Sequence, residues 1–207
     1  MVQKILVFDY DGTIVNSYAA YAERFMALRE QYHLSKKIKD FKSLYSSNFS
    51  ESLINQGLTP PLILALIRDI QKPFNGKPAL ITPFAGMVKL MNVLTTQSRV
   101  YVVTSNLTAV INESLSYWKI RGIQEVLGGD IEFSKVKKLK SIQKRHPHAE
   151  FLYIGDTVGD VHEAKEAGYT AVAVSWGYHS RTVLKKAKPD FIVDTPEALF
   201  QLLCSGL

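Results

Sequence analysis

Apolar residues fall along this chain in two alternating rhythms. Short apolar runs occupy residues 4–8 (Lys4-Ile5-Leu6-Val7-Phe8), 100–103, 151–154, 171–174 and 191–193. Runs of this length, bounded by turn residues, suit strands buried on both faces of a parallel sheet. Between them the apolar positions follow helical spacing, over 84–94, 107–118, 136–143, 161–167 and 196–203. Strand and helix in alternation predict an α/β fold, a doubly wound Rossmann-like parallel sheet.

The rhythm breaks between residues 16 and 80. No strand-like run occurs there; helical spacing appears at 18–32 and again at 60–70, with a basic segment between. Pro60-Pro61 suit the first turn of a helix. Lys72-Pro73, Asn75-Gly76 and Lys77-Pro78 read as a linker. The expected organisation is therefore a core of residues 1–15 and 81–207, with an all-helical insert at 16–80. Tyr18, Tyr21, Phe25 and Leu28 recur at helical spacing and are expected to pack the insert's interior.

Composition narrows the picture. Of 207 residues, 46% are apolar and 21% charged, the balance of a globular protein and not of a disordered one. The net charge of +6 comes from Lys and Arg dispersed over stretches such as Lys36 to Lys42, Lys135 to Arg145 and Lys185 to Lys188. No nucleic-acid motif surrounds them, so they are expected to be mostly solvated helix faces, with no nucleic-acid partner. The single cysteine, Cys204, excludes an internal disulfide and is expected to pack in the apolar C-terminal stretch. Met1-Val2-Gln3-Lys4 leads too quickly to an aspartate for a signal peptide, and no apolar run could span a bilayer. A soluble, cytoplasmic protein is expected, with no membrane partner.

Open α/β sheets bind ligands beyond the carboxyl ends of their strands. This chain places Asp9 and Asp11 after its first strand, Thr104-Ser105-Asn106 after the strand at 100–103, and Gly155-Asp156 with Asp160 after the strand at 151–154. Lys135 opens the helix before that last strand. Carboxylates gathered at one rim need a cation between them, and hard oxygen ligands suit Mg²⁺. Hydroxyls and a lysine at the same rim would stabilise charge on a transferring phosphoryl group. Asp9 and Asp11 alternate along extended backbone, so their environments can differ enough to separate a nucleophile from a general acid/base.

At these residues the chain resembles the haloacid dehalogenase-like hydrolase superfamily. Asp9-Tyr10-Asp11-Gly12-Thr13-Ile14-Val15 looks like its first motif, Thr104 its second, Lys135 its third, and Gly155-Asp156 with Asp160 its fourth. The likeness is nearest to the phosphoglycolate-phosphatase-like branch, whose small helical cap matches the insert; Asn16 departs from the Asp common there. The resemblance implies a Mg²⁺-dependent phosphatase acting on a small phosphorylated metabolite through an aspartyl-phosphate. Asp9 would attack phosphorus and ligate the metal; Asp11 would be the general acid/base and lend its backbone carbonyl to the metal. Asp156 would complete the protein's ligands, Asp160 would ligate directly or through water, and Thr104 and Lys135 would hold the phosphoryl oxygens.

Ser105 rivals Thr104 for its role. Lys137 and Lys138 lie close to Lys135, and Lys138 is expected on the surface, where its loss would change little. His146-Pro147-His148 reads as an exposed loop. Trp176-Gly177-Tyr178 follows a predicted strand and reads as packing that could border the site. A phosphomutase would share every motif, and a non-catalytic or regulatory phosphate-binding module would use the same scaffold.

Overall fold

Ile5, Leu6, Val7 and Phe8 are all buried in β1 (Lys4–Phe8), as an unbroken apolar run requires. This computed structural model describes residues 3–34 and 38–204; Met1-Val2 and Lys36-Lys37 of the basic stretch lie outside them. After β1 the chain forms β2 (Val15–Asn16), then α1 (Tyr18–Leu28), α2 (Phe49–Asn55) and α3 (Pro60–Gln71). It returns through β3 (Thr82–Pro83) into α4 (Met87–Gln97), β4 (Arg99–Val103), α5 (Thr108–Tyr117) and β5 (Ile123–Leu127). The remainder is α6 (Lys135–Arg145), β6 (Glu150–Gly155), α7 (Val158–Ala167), β7 (Thr170–Val174), α8 (Arg181–Lys186), β8 (Phe191–Val193) and α9 (Pro196–Cys204).

Six strands form one parallel sheet in the order β5-β4-β1-β6-β7-β8. The chain winds from β1 outward to β4 and β5, then comes back to lay β6 against the other edge of β1. That reversal opens a crevice between the carboxyl ends of β1 and β6, where such sheets bind ligands. Side chains alternate between faces along each strand. Leu6 and Phe8 join a core on one side with Val100, Val102 and Ile154, while Ile5 and Val7 pack on the other with Leu139, Ile142 and Val161.

The insert leaves and returns through adjacent passes, β2 and β3, which pair antiparallel with Asn16 opposite Thr82. Its α1 buries Tyr21, Phe25 and Leu28, as the helical spacing requires, and packs against α3. Pro60-Pro61 do occupy the first turn of α3. The middle of the insert carries more order than its composition suggested: a 3-10 turn at Phe41–Tyr45, then α2 capped by Asn48, which accepts from the amides of Ser50 and Glu51. Insert and sheet share one apolar core, with Phe25, Phe41 and Ile63 in the same cluster as Tyr10 and Ile14.

Two further elements escape the apolar pattern. β5 has partly exposed or exposed residues at its first three positions, and α8 is only six residues long. Cys204, expected to pack, is exposed at the end of α9. No described helix is long and apolar enough to cross a membrane.

Candidate active site

The rim is assembled from the ends of three neighbouring strands. β1 delivers Asp9, whose amide extends the sheet by donating to the Ile154 carbonyl at 2.8 Å. The chain then turns tightly: Ile14 N–H returns to the Tyr10 carbonyl, and Gly12 adopts φ +76°, a left-handed conformation that costs glycine little. A methyl group on Gly12 would also run into the Asp156 carboxylate and the Tyr178 ring. Glycine is therefore needed here twice over.

β6 delivers Asp156, which is fully buried. Its carboxylate accepts from Thr13 Oγ1 at 3.0 Å and from the Tyr178 amide at 2.6 Å, both neutral donors. Four residues on, Asp160 sits in a capping box at the start of α7. Its Oδ2 accepts from the Thr157 amide and hydroxyl, and its Oδ1 from Tyr153 and Lys135. Lys135, the first residue of α6, bridges Asp9 at 3.0 Å and Asp160 at 2.8 Å. Carboxylate oxygens of Asp9, Asp156 and Asp160 lie within 4.8 Å of one another.

The end of β4 faces the two aspartates of the first motif. Asn106 donates its side-chain amide to Asp11 Oδ2, whereas Asp11 Oδ1 is buried with no hydrogen-bond partner. Ser105 and Asn106 line the cavity above Asp9 and Asp11, while Thr104 lies deeper, its hydroxyl accepting from the Asn106 amide at 3.1 Å. Asp9, Asp11, Asp156, Asp160, Lys135 and the Thr104–Asn106 turn are thus brought to one place.

Burial dominates the electrostatics. Desolvation raises Asp9 to about 8, with Asp160 and Asp11 adding to the rise and Lys135 opposing it. Asp11 is raised to about 6, again by burial, with the nearby Ser17 hydroxyl and Lys135 pulling it down. Asp156 is pushed well above the carboxylate range by burial and by Asp160 and Asp9. Asp160 is held below that range, since Lys135 and its hydrogen bonds outweigh its burial. Fully ionised, the cluster would carry more negative charge than Lys135 offsets, so without metal Asp9 and Asp156 are pushed toward holding protons. A hard divalent cation among Asp9, Asp156 and Asp160 would take the place of those protons.

The sequence pattern misplaced Lys138, and it set Asn106 at the rim and Trp176 and Tyr178 beside it without giving them a role. Lys138 is 2% exposed, and its ammonium donates to the carbonyls of Thr104 at 2.7 Å and Gly128 at 3.2 Å. It therefore fixes the turn that carries Ser105 and Asn106. Lys138→Ala should leave those carbonyls unpaired and cost about 1–3 kcal/mol of stability, besides loosening the turn. A urea midpoint and turnover equal to those of the parent protein would count against this. Asn106 and Tyr178 also belong to the site. Trp176 braces the first-motif turn, donating its indole N–H to the Thr13 carbonyl. His146 instead pairs with the Tyr101 hydroxyl, away from the carboxylates.

Fold and rim together define a class: a parallel α/β protein with an acidic, cation-ready cluster and one bridging lysine at its switch point. The family model for haloacid dehalogenase-like hydrolases matches residues 6–174. The chain belongs to that family. Among curated relatives, a phosphoglycolate phosphatase from Synechococcus elongatus is 27% identical over 95% of both chains. A pyrophosphatase from Bacillus cereus is 24% identical over 96% of this chain and 95% of its own. In fold, the crystal structure of a predicted phosphatase from Clostridium acetobutylicum superposes with a TM-score of 0.79, at 18% identity and full coverage of both chains.

Proposed function

We propose that this chain hydrolyses small phosphomonoesters by way of a phosphoryl group carried on Asp9, with Mg²⁺ as cofactor and residues 16–80 as a cap over the site. The observation that carries this reading is the close grouping of Asp9, Asp156 and Asp160 around Lys135. Bound Mg²⁺, held by Asp9, Asp156 and the Asp11 backbone carbonyl, would offset the carboxylate charge and keep Asp9 ionised. Asp160, whose oxygens already serve Lys135, Tyr153 and Thr157, would meet the metal through water.

In this mechanism an Asp9 oxygen attacks phosphorus as the bond to the leaving oxygen breaks. Asp11, raised to about 6, holds a proton in part of the neutral range and gives it to that oxygen. Water then attacks the phosphorylated Asp9, Asp11 takes the water's proton, and inorganic phosphate leaves. Lys135 has three N–H donors; two serve Asp9 and Asp160, leaving one for a phosphoryl oxygen. Thr104 accepts from Asn106, so its own proton is free for a second oxygen. Asn106 aims Asp11.

The cap reading draws support from the cavity. The space bounded by Asp9, Asp11, Lys135 and the insert measures about 30 Å³, enough for roughly two waters. A phosphoester must displace the insert to enter. Asn48 of the insert donates to the buried Glu163 of α7, and Ser47 packs against Gly159, so these contacts would part when it moves. With its single cysteine, the protein is proposed to work in the cytoplasm.

Release of inorganic phosphate from a panel of phosphomonoesters tests the reading. Turnover is expected with Mg²⁺, less with Ca²⁺, and none in excess chelator; undiminished activity in chelator would contradict it. Stability should show the same linkage. Asp9 at about 8, Glu163 at about 7 and Asp11 at about 6 all lie above their unfolded values near 4. Through these three groups the metal-free folded state binds more protons than the unfolded chain between those limits; Lys138, brought down to about 7 by burial, opposes them only above that value. The stability of that state is greatest at the acidic end and is lost as pH rises through the folded values. Thermal unfolding in chelator should give a higher Tm at pH 5.5 than at pH 8, and Mg²⁺ should narrow the gap. A metal-free protein more stable at pH 8 would refute this charge account.

A further inference from the structure

We infer that the natural leaving group is small and uncharged: an alcohol with an apolar or aromatic body and at most neutral hydrogen-bonding groups. This rests on the phosphatase reading and adds the substrate class. Beyond Asp9, Asp11, Lys135, Ser105 and Asn106, the cavity walls supplied by the insert are Tyr21, Phe41, Tyr45, Phe49, Ile67 and Ile70. All six are neutral. The described basic side chains of the insert with assigned contacts are committed elsewhere. Arg24 donates to the Asp69 carbonyl, Arg29 to the Ile38 carbonyl, and Lys42 lies over the Tyr18 ring at 4.7 Å.

An anionic leaving group would enter this space against Asp9 and Asp11, stripped of water and with no cation from those walls. A neutral one would pack on Phe41, Tyr45 and Phe49, as aromatic-lined small-molecule sites do. The phenols of Tyr21 and Tyr45 in the same walls are neutral hydrogen-bonding groups, able to meet a hydroxyl or amide on the leaving group. Phosphoglycolate and pyrophosphate, the compounds named for the relatives, both carry anionic leaving groups.

The test compares kcat/KM for 2-phosphoglycolate, its neutral amide, benzyl phosphate and pyrophosphate, read as phosphate release with Mg²⁺. The amide and the benzyl ester are expected to exceed phosphoglycolate and pyrophosphate by about 10²-fold. Tyr45 is only partly buried, so Tyr45→Arg can place a cation in the wall. It should raise phosphoglycolate relative to its amide by about tenfold. Equal or better turnover of phosphoglycolate by the parent enzyme overturns the inference while leaving the phosphatase reading standing. An unchanged ratio in Tyr45→Arg overturns the placement of the leaving group against that wall. If no ester releases phosphate, the phosphatase reading falls and this inference with it.

Discussion

Lys135→Ala should lower turnover by about 10²- to 10³-fold, the scale of removing one preorganised donor from a developing anion. The same change should destabilise the fold by about 3–5 kcal/mol, because it strips the cation from buried carboxylates. Both effects follow from one geometry: the ammonium lies between Asp9 and Asp160, at 3.0 and 2.8 Å, with all three side chains buried. Lys135→Arg should not restore activity, since a planar guanidinium cannot reproduce a compact ammonium in a closed site. Phosphate-release rates and urea midpoints for the two variants measure the two effects. Parent-like turnover in Lys135→Ala would remove the lysine from the chemistry.

The sheet was legible because β1, β4, β6 and β7 are buried on both faces, and only an unbroken apolar run satisfies such a strand. β5 was not, since its outer half is polar or partly exposed. Within the site, Asp9, Asp11, Asp156 and Asp160 could be located because each follows an apolar run at a fixed short distance. Lys138 shows what a charge-based reading overlooks. It shares a stripe with Lys135, Leu139 and Ile142, and that spacing alone assigns it to the buried face of α6. Asn106 carried only the weak signal of standing beside Thr104 at the same strand end. Tyr178 binds Asp156 through its backbone amide, which no side-chain pattern reveals.

The second large effect separates the paired aspartates of the first motif. Asp9→Asn should abolish turnover, since an amide cannot serve as the attacking carboxylate. Asp11→Asn should behave differently. Asparagine keeps the size of the side chain but can neither give a proton to the leaving oxygen nor take one from water. An aryl phosphate with an electron-poor ring leaves as a stable anion and needs little protonation. The later attack by water still needs a base. With such a substrate the first step should survive, the second should stall, and phosphorylated Asp9 should accumulate.

Rapid mixing of Asp11→Asn with p-nitrophenyl phosphate and Mg²⁺, followed by acid quench and intact-mass measurement, tests the covalent route most directly. The expected result is a burst of about one phenolate per enzyme, then slow turnover, and one added phosphoryl group that Asp9→Asn never acquires. A folded, metal-binding Asp11→Asn protein with neither burst nor added mass would contradict it.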